Sequence, residues 1–180
     1  MPQVLVKEDQ VFVSVINCAG RDASHNLADH DARYVANMAG LLTGLLSEGK
    51  KIVLASFCKE EGDEAGIAKI LTAMGIEKDS RIRVLCYDGT NAYALTRAIA
   101  ESGSVIATRF HATILAIRAG RPVLPILYSD KTKYVLEDMG FSGTLYDLRE
   151  DIPWVDYAPT LAAAPSGADG HFTKLDAILK

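Results

Sequence analysis

The chain has 180 residues, of which 49% are hydrophobic and 23% are charged, and its formal net charge at pH 7 is -4. A chain of this size and composition can bury a full core, and one globular domain is the default expectation. The acidic balance argues against a general nucleic-acid-binding surface, because binding to the phosphate backbone usually requires a basic excess. No segment has 18 uninterrupted apolar residues and the first residues do not resemble a signal peptide, so neither a membrane span nor a secreted precursor is predicted.

The three cysteines, Cys18, Cys58 and Cys86, are odd in number, widely spaced and without a Cys-x-x-Cys pair. This pattern predicts neither a disulfide framework nor a zinc site, and it fits a reducing cytoplasm. No Gly-x-Gly-x-x-Gly follows any predicted strand, and the turn from Asp88 to Asn91 is too short for a Walker loop. We therefore predict no metal and no cofactor.

The first half of the chain alternates short apolar strands with amphipathic helices. An N-terminal extension over residues 1–10 precedes a buried strand over residues 11–16, and a long polar loop then runs from Asn17 to Asn26. Asp63 and Glu64 are interpreted as the N-cap and first-turn acid of the second helix. The other predicted elements of this half are a helix over 31–47, a strand over 52–57, a helix containing Ile67, Ile70, Leu71 and Met74, a strand over 83–87 and a helix containing Leu95, Ala98 and Ile99.

The second half repeats the alternation. A strand over 104–107, a helix over 109–119, a strand over 123–128 and a helix over 130–139 are predicted in turn. Pro125 cannot donate to a strand ladder, which predicts an edge position or a bulge for the fifth strand. Beyond Phe141 the pattern weakens to a short sixth strand over 144–146 and a final helix over 172–179. Five strand–helix repeats predict an α/β fold, with a doubly wound, mostly parallel sheet of five or six strands and helices on both faces.

In such a sheet, ligands bind outside the carboxyl ends of the strands, so the loops that leave those ends hold the candidate site. Arg109 and His111 lie at a strand-to-helix junction, where unpaired backbone amides and the helix dipole favour an anion. This junction predicts a small anionic ligand. The candidate residues on these loops are Asn17, Arg21, Asp88, Asn91, Arg109, His111, Tyr128 and Lys131.

The same stretch resembles a known family. Thr-Arg-Phe-His-Ala-Thr-Ile-Leu-Ala over residues 108–116, Ala-Gly-Arg-Pro-Val over 119–123 and Tyr-Ser-Asp-Lys over 128–131 resemble the polysaccharide pyruvyl transferases. The resemblance implies transfer of the enolpyruvyl group of phosphoenolpyruvate to a sugar as a ketal, in cell-surface polysaccharide synthesis. It also implies two Rossmann-like domains facing across a cleft, as in the GT-B glycosyltransferases.

The resemblance covers residues 11–147, which would be the donor-binding second half of that architecture, and leaves residues 148–180 as a C-terminal tail. This implies that the partner of the chain is an N-terminal domain that it lacks, or a second copy in a homo-dimer. It implies that Arg109 binds the phosphate or carboxylate, that His111 is a general acid or base, and that Lys131 is a further anion contact. Family members commonly have an arginine at the end of the first strand, where this chain has Asn17, with Arg21 four residues later.

Other interpretations stay open at this point. Arg109 and His111 could simply cap the helix, and Lys131 could be a solvated helix-start lysine. The chain could also be half of a GT-B glycosyltransferase that binds the diphosphate of a nucleotide sugar at the same helix terminus. A third possibility is a non-catalytic relative that keeps the fold without the transfer chemistry.

Overall fold

The computed structural model describes residues 5–20, 27–154, 157 and 159. Its strands and helices alternate as the hydrophobic pattern predicts. Two short 3-10 turns, Cys18–Gly20 and Ala28–His30, precede the first helix. The elements in order are β1 (Lys7–Ser14), α1 (Asp31–Ser47), β2 (Lys51–Ser56), α2 (Asp63–Ala73), β3 (Ile82–Cys86), α3 (Ala92–Glu101), β4 (Ser102–Ala107), α4 (Phe110–Arg118), β5 (Val123–Leu127), α5 (Asp130–Asp138) and β6 (Tyr146–Asp147).

The strands form one six-stranded sheet in the order β3-β2-β1-β4-β5-β6, and every neighbouring pair is parallel. Along the chain, β2 and β3 are added on one side of β1, and β4, β5 and β6 are then added on its other side. The reversal lies between β1 and β4, where Val13 pairs with Leu54 on one side and Ile106 on the other. The predicted doubly wound, Rossmann-like parallel sheet is therefore confirmed.

Two hydrophobic cores cover the two faces of this sheet. Val11 and Val13 point to the core formed with α1 and α2, whereas Phe12 points to the core formed with α3 and α4. This alternation follows from the two-residue period of a strand, and it makes β1 apolar on both faces. The crossover from β3 back to β4 places α3, α4 and α5 on one face, so that α3 and α5 flank α4.

The start of β1 and the position of β5 in the sheet differ from the prediction. β1 begins at Lys7, within the segment predicted as an N-terminal extension, because Lys7 pairs with Ser102 in β4. Its first residues are exposed and polar, so no hydrophobic pattern marks them. The edge position predicted for Pro125 is wrong: β5 lies between β4 and β6. Pro125 is tolerated there because β6 pairs only with the last two residues of β5, Ile126 and Leu127.

After β6 the chain runs along α1 as a strap formed by residues 148–154. Arg33 donates to the carbonyl oxygens of Leu148 and Arg149 at 3.3 and 3.2 Å. The ring of Trp154 is buried and stacks on Tyr146 with centroids 5.6 Å apart. The strap therefore belongs to the same core as α1, while the predicted final helix over 172–179 lies outside the described residues. In the part of the chain that the structure describes, no helix is both long and apolar enough to cross a membrane.

Candidate functional site

The candidate site lies at the carboxyl edge of the sheet, where β1 and β4 are neighbours. The backbone amide of Arg109 donates to Ser14 Oγ at 3.0 Å. The buried hydroxyl of Tyr34 accepts from the amide of Ile16 and is 3.2 Å from Thr108 Oγ1. These contacts attach the start of α4 to the end of β1, at the reversal in strand order where ligands bind in such sheets.

Arg109 is the N-cap residue of α4, but its guanidinium is turned into the protein. The residue is 7% exposed. Its Nε donates to Asp63 Oδ2 at 3.0 Å, its Nη2 donates to Asp63 Oδ1, and its Nη1 lies 2.5 Å from Glu61 Oε2. Burial alone would lower the pKa of Arg109, but the two carboxylates raise it above its usual value, so the charge is permanent. The guanidinium is thus bound to carboxylates of the β2–α2 segment.

Asp63 is the buried partner in this network, and its carboxylate is fully enclosed. Besides the guanidinium it accepts hydrogen bonds from the amides of Phe57 and Cys58 at 2.9 and 3.0 Å. The interpretation of Asp63 as an N-cap is wrong, because the N-cap of α2 is Gly62, with φ of 74°. The sequence did contain one indication: Asp63 follows a strand end on the same edge as Arg109.

Glu61 differs from Asp63 because its side chain is 37% exposed. It contacts Nη1 of the guanidinium, whereas Asp63 contacts Nε and Nη2. Glu61 occupies Nη1, so a carboxylate or phosphate that binds this nitrogen has to displace Glu61. Direct anion binding by Arg109 therefore stays a prediction, and it requires the anion to displace Glu61.

His111 and Lys131 lie together beside the first turn of α4. The ammonium of Lys131 is 4.9 Å from the centroid of the Phe110 ring, and the Phe110 and His111 rings are 5.8 Å apart. Partial burial of the imidazole, followed by the charges of Lys131 and Arg109, lowers the pKa of His111 below 6.5. The structure thus brings these three predicted residues to the start of α4, where Asp63 and Glu61 balance the charge of Arg109 and Lys131 adds an exposed cation. The lowered pKa of His111 favours the neutral imidazole at pH 7.

Asn17 also lies at this edge, but its side chain is bound within the protein. Its Oδ1 accepts from Lys69 Nζ at 3.0 Å, and Lys69 also contacts Asp31 at 2.7 Å. A Cβ at Gly20 or Gly62 would lie 2.5 or 2.9 Å from Asn17 Nδ2, so both glycines leave room for this amide. Lys69 has no motif around it and was not predicted. Arg21, another predicted residue, lies outside the described residues.

The remaining predicted residues are further from α4. Asp88 and Asn91 follow β3, which β2 and β1 separate from β4. Asp88 Oδ1 accepts from the amides of Thr90 and Asn91, and Asn91 Nδ2 donates to the carbonyl oxygen of Cys86 at 2.8 Å. The bonds from Thr90 lower the pKa of Asp88. Both side chains hold the β3–α3 turn, whereas Tyr128 is half-buried against the α1 side of the core.

A cavity of about 500 Å³ opens between α3 and α4 and includes His111 in its wall. The other lining side chains are largely aromatic or aliphatic, and Tyr93 is 77% exposed there. The prediction from sequence located the histidine but not the cavity. The full lining is Phe57, Tyr87, Ala92, Tyr93, Leu95, Thr96, His111, Leu115 and Arg118.

Comparison with known proteins supports the fold and assigns the family. No curated protein matches the chain. A solved structure of an O-GlcNAc transferase from Thermobaculum terrenum, the K341M mutant, is similar with a TM-score of 0.50 and 14% identity, over 78% of this chain and 26% of that chain. At this identity the likeness concerns the fold alone, and the chain spans about a quarter of that protein.

The model of a protein family, described as polysaccharide pyruvyl transferase, matches residues 11–130. The matched region runs from β1 to the first residue of α5, so it includes the β1–β4 junction with Arg109 and His111 and stops one residue before Lys131. It covers well over half of the chain. The protein therefore belongs to the polysaccharide pyruvyl transferase family.

Proposed function

We propose that this chain supplies the phosphoenolpyruvate-binding half of a ketal pyruvyltransferase that acts on a sugar in cell-surface polysaccharide synthesis. The observation that supports this most is the convergence of His111, Lys131 and Arg109 at the first turn of α4. Phosphoenolpyruvate carries a phosphate and a carboxylate, and both require positive groups. The first amides of α4 have no partner within the helix, and the helix dipole adds to the positive potential.

Each cation has a distinct part in this proposal. Lys131, whose ammonium lies over the ring of Phe110, binds the phosphate together with the amides of the first turn. Arg109 is held in place by Asp63, and its Nη1 binds the substrate carboxylate after that carboxylate replaces Glu61. The exchange swaps one carboxylate for another at the same nitrogen, so the charge balance of the buried network does not change.

His111 provides the proton transfer. Because its pKa is lowered, the imidazole is neutral at pH 7 and can accept the proton of an attacking sugar hydroxyl. The oxygen of that hydroxyl bonds to carbon 2 of phosphoenolpyruvate, the double bond between carbon 2 and carbon 3 opens, and carbon 3 takes up the proton that His111 has accepted. A second hydroxyl then bonds to carbon 2, the bond from carbon 2 to the phosphate oxygen breaks, and the phosphate leaves with the second proton. The products are the ketal and inorganic phosphate.

The setting of this reaction is also part of the proposal. In a GT-B-like arrangement, a second domain or a second copy of the chain faces the carboxyl edge of the sheet and completes the cleft. Among the described residues the three cysteines form no disulfide, which fits a reducing cytoplasm, where phosphoenolpyruvate is made.

Titration of the full chain with phosphoenolpyruvate, inorganic phosphate and UDP-sugars, followed by NMR, tests the proposal. We expect selective binding of phosphoenolpyruvate and a loss of affinity of at least about tenfold in Lys131→Met, because one charge-assisted hydrogen bond is removed. Lys133→Met is the matched control, since it removes the same charge two residues further along α5, on another side of the helix.

Equal effects of the two lysine substitutions would contradict the assigned role of Lys131. Absence of phosphoenolpyruvate binding would contradict the proposed function. A preference for UDP-sugars would instead favour a glycosyltransferase half that uses the same helix terminus for a diphosphate.

The pH dependence of His111 gives a second prediction. In the free chain we expect its ring to titrate below 6.5 in an NMR pH series, with His111→Gln identifying its signal. Bound phosphoenolpyruvate places negative charge beside the imidazole, so the pKa should rise and protons should be taken up on binding near pH 6. An unchanged His111 titration at saturating ligand would show that the anion binds elsewhere.

The lowered pKa of His111 also makes the stability of the chain depend on pH. Because the folded pKa lies below the unfolded one, the contribution of neutral His111 is complete above about pH 6.5 and is lost as the pH falls through that range. His111→Gln should remove this part of the pH dependence of unfolding.

A further inference from the structure

The cavity between α3 and α4 lies on the other side of His111 from Lys131. α3 and α5 flank α4, and Lys131 is at the start of α5 whereas the cavity is lined from α3. His111 lies between the cavity and Lys131, because it lines the cavity and the charge of Lys131 contributes to its lowered pKa. A transfer reaction needs two substrates within reach of one proton acceptor. The cavity therefore lies on the side of His111 that faces away from the proposed phosphoenolpyruvate site at Lys131.

The chemistry of the cavity wall fits a sugar ring. Phe57, Tyr87 and Tyr93 provide flat aromatic surfaces, and the Tyr93 ring is exposed to an extent that is unusual for such a large apolar group. A pyranose has two C–H faces that pack on aromatic rings, while its edge carries hydroxyl groups that need polar partners. Thr96 and Arg118 line the same cavity. The hydroxyl of Thr96 donates to the carbonyl oxygen of Ala92 at 3.0 Å, and its oxygen can still accept a hydrogen bond from a sugar hydroxyl.

The size of the cavity is also suitable. Its volume of about 500 Å³ lies within the range of about 300–1,000 Å³ that is usual for small-molecule sites. One or two sugar rings fill a space of that size. A sugar placed there lies next to His111, which lines the cavity where α4 reaches the carboxyl edge of the sheet.

We propose that the cavity between α3 and α4 binds the sugar ring that accepts the pyruvyl group, with Tyr93 as a stacking platform. This inference rests on the proposed function, since it assigns the second substrate of that reaction. It identifies Tyr93 as a residue that contacts the acceptor, and it gives His111 a position between the donor and the acceptor.

Saturation-transfer NMR on the full chain tests this inference. The probes are the methyl glycosides of glucose, galactose, mannose and their N-acetylamino forms, each with and without phosphoenolpyruvate. We expect at least one glycoside to receive saturation, and Tyr93→Ala to weaken its binding about three- to tenfold because the aromatic contact is lost. Tyr93→Phe should bind as the parent chain does, because the ring remains.

Tyr134→Ala is the matched control, since Tyr134 is 61% exposed on α5 and does not line the cavity. Equal weakening by Tyr134→Ala, or no weakening by Tyr93→Ala, would overturn the inference. So would a chain that binds phosphoenolpyruvate but no glycoside, or that binds UMP in the cavity and excludes glycosides. Glycoside binding that depends on Tyr93, in a chain that fails to bind phosphoenolpyruvate, would keep the sugar site and reject the proposed donor.

Discussion

Replacement of Asp63 by alanine is expected to lower the free energy of unfolding by about 3–5 kcal/mol, because it removes the buried partner of the Arg109 guanidinium and leaves it with the partly exposed carboxylate of Glu61. Asp63 is fully buried and accepts four hydrogen bonds, two from Arg109 and two from the amides of Phe57 and Cys58. Its loss removes two hydrogen bonds of a buried guanidinium and the acceptor of two partly buried amides at once. Urea unfolding of the two chains at pH 7 measures the difference.

Glu61→Gln is the matched control for this experiment. Glu61 contacts the same guanidinium, but through one nitrogen and from a side chain that is partly exposed. Its removal should cost less than about 1 kcal/mol, as is usual for exposed ion pairs. Similar losses in Asp63→Ala and Glu61→Gln would show that burial does not distinguish the two carboxylates, and would contradict the buried-pair account of Arg109.

A second large effect is expected at Gly66 in α2. A Cβ there would lie 2.4 Å from the carbonyl oxygen of Ile16 and 3.2 Å from the amide nitrogen of Asn17. Both atoms belong to the backbone, so α2 itself must move away from the end of β1. Gly66→Ala should therefore destabilise the chain by about 1–3 kcal/mol. The same shift displaces the start of α2, where Asp63 holds Arg109.

Gly44→Ala in α1 is the control, because a Cβ at that position meets nothing within 4 Å. In a helix interior this change removes the entropic cost of glycine and should stabilise the chain by about 0.5–1 kcal/mol. The two substitutions are chemically identical, yet opposite signs are expected in urea unfolding. Stabilisation by both would contradict the close approach of α2 to β1.

The regular elements could be predicted from sequence because each depends on a local period. α1 spans residues 31–47 in the prediction and Asp31–Ser47 in the structure, since its apolar residues recur every three or four positions. The start of β1 could not be predicted because it depends on pairing with β4, far along the chain. Pro125 predicts an edge position or a bulge, and the edge is wrong because the local chemistry of proline carries no information about where β6 is added.

The site, too, has a part that could be predicted from sequence and a part that could not. The strand-to-helix junction identified Arg109 and His111, and the common edge of the parallel strands brought Lys131 near them. The contact of Arg109 with Asp63 joins residues 46 positions apart and depends on the packing of α2. An aspartate at a helix start has the same local pattern whether it caps the helix or binds a distant arginine. The cavity depends on how α3 and α4 pack against each other, and the hydrophobic period of each helix gives no information about that packing.

The pairing of β1 with β4 also has a consequence for the order in which the protein folds. Gln10 Nε2 donates to Ser102 Oγ at 2.9 Å across 92 residues of chain. The central strand β1 therefore cannot complete its pairing until β4 has been synthesised. A nascent chain that ends before β4 leaves β1, apolar on both faces, as an open sheet edge. Such intermediates expose an aggregation-prone strand until the ribosome has released β4, and α4 cannot attach to Ser14 before that moment.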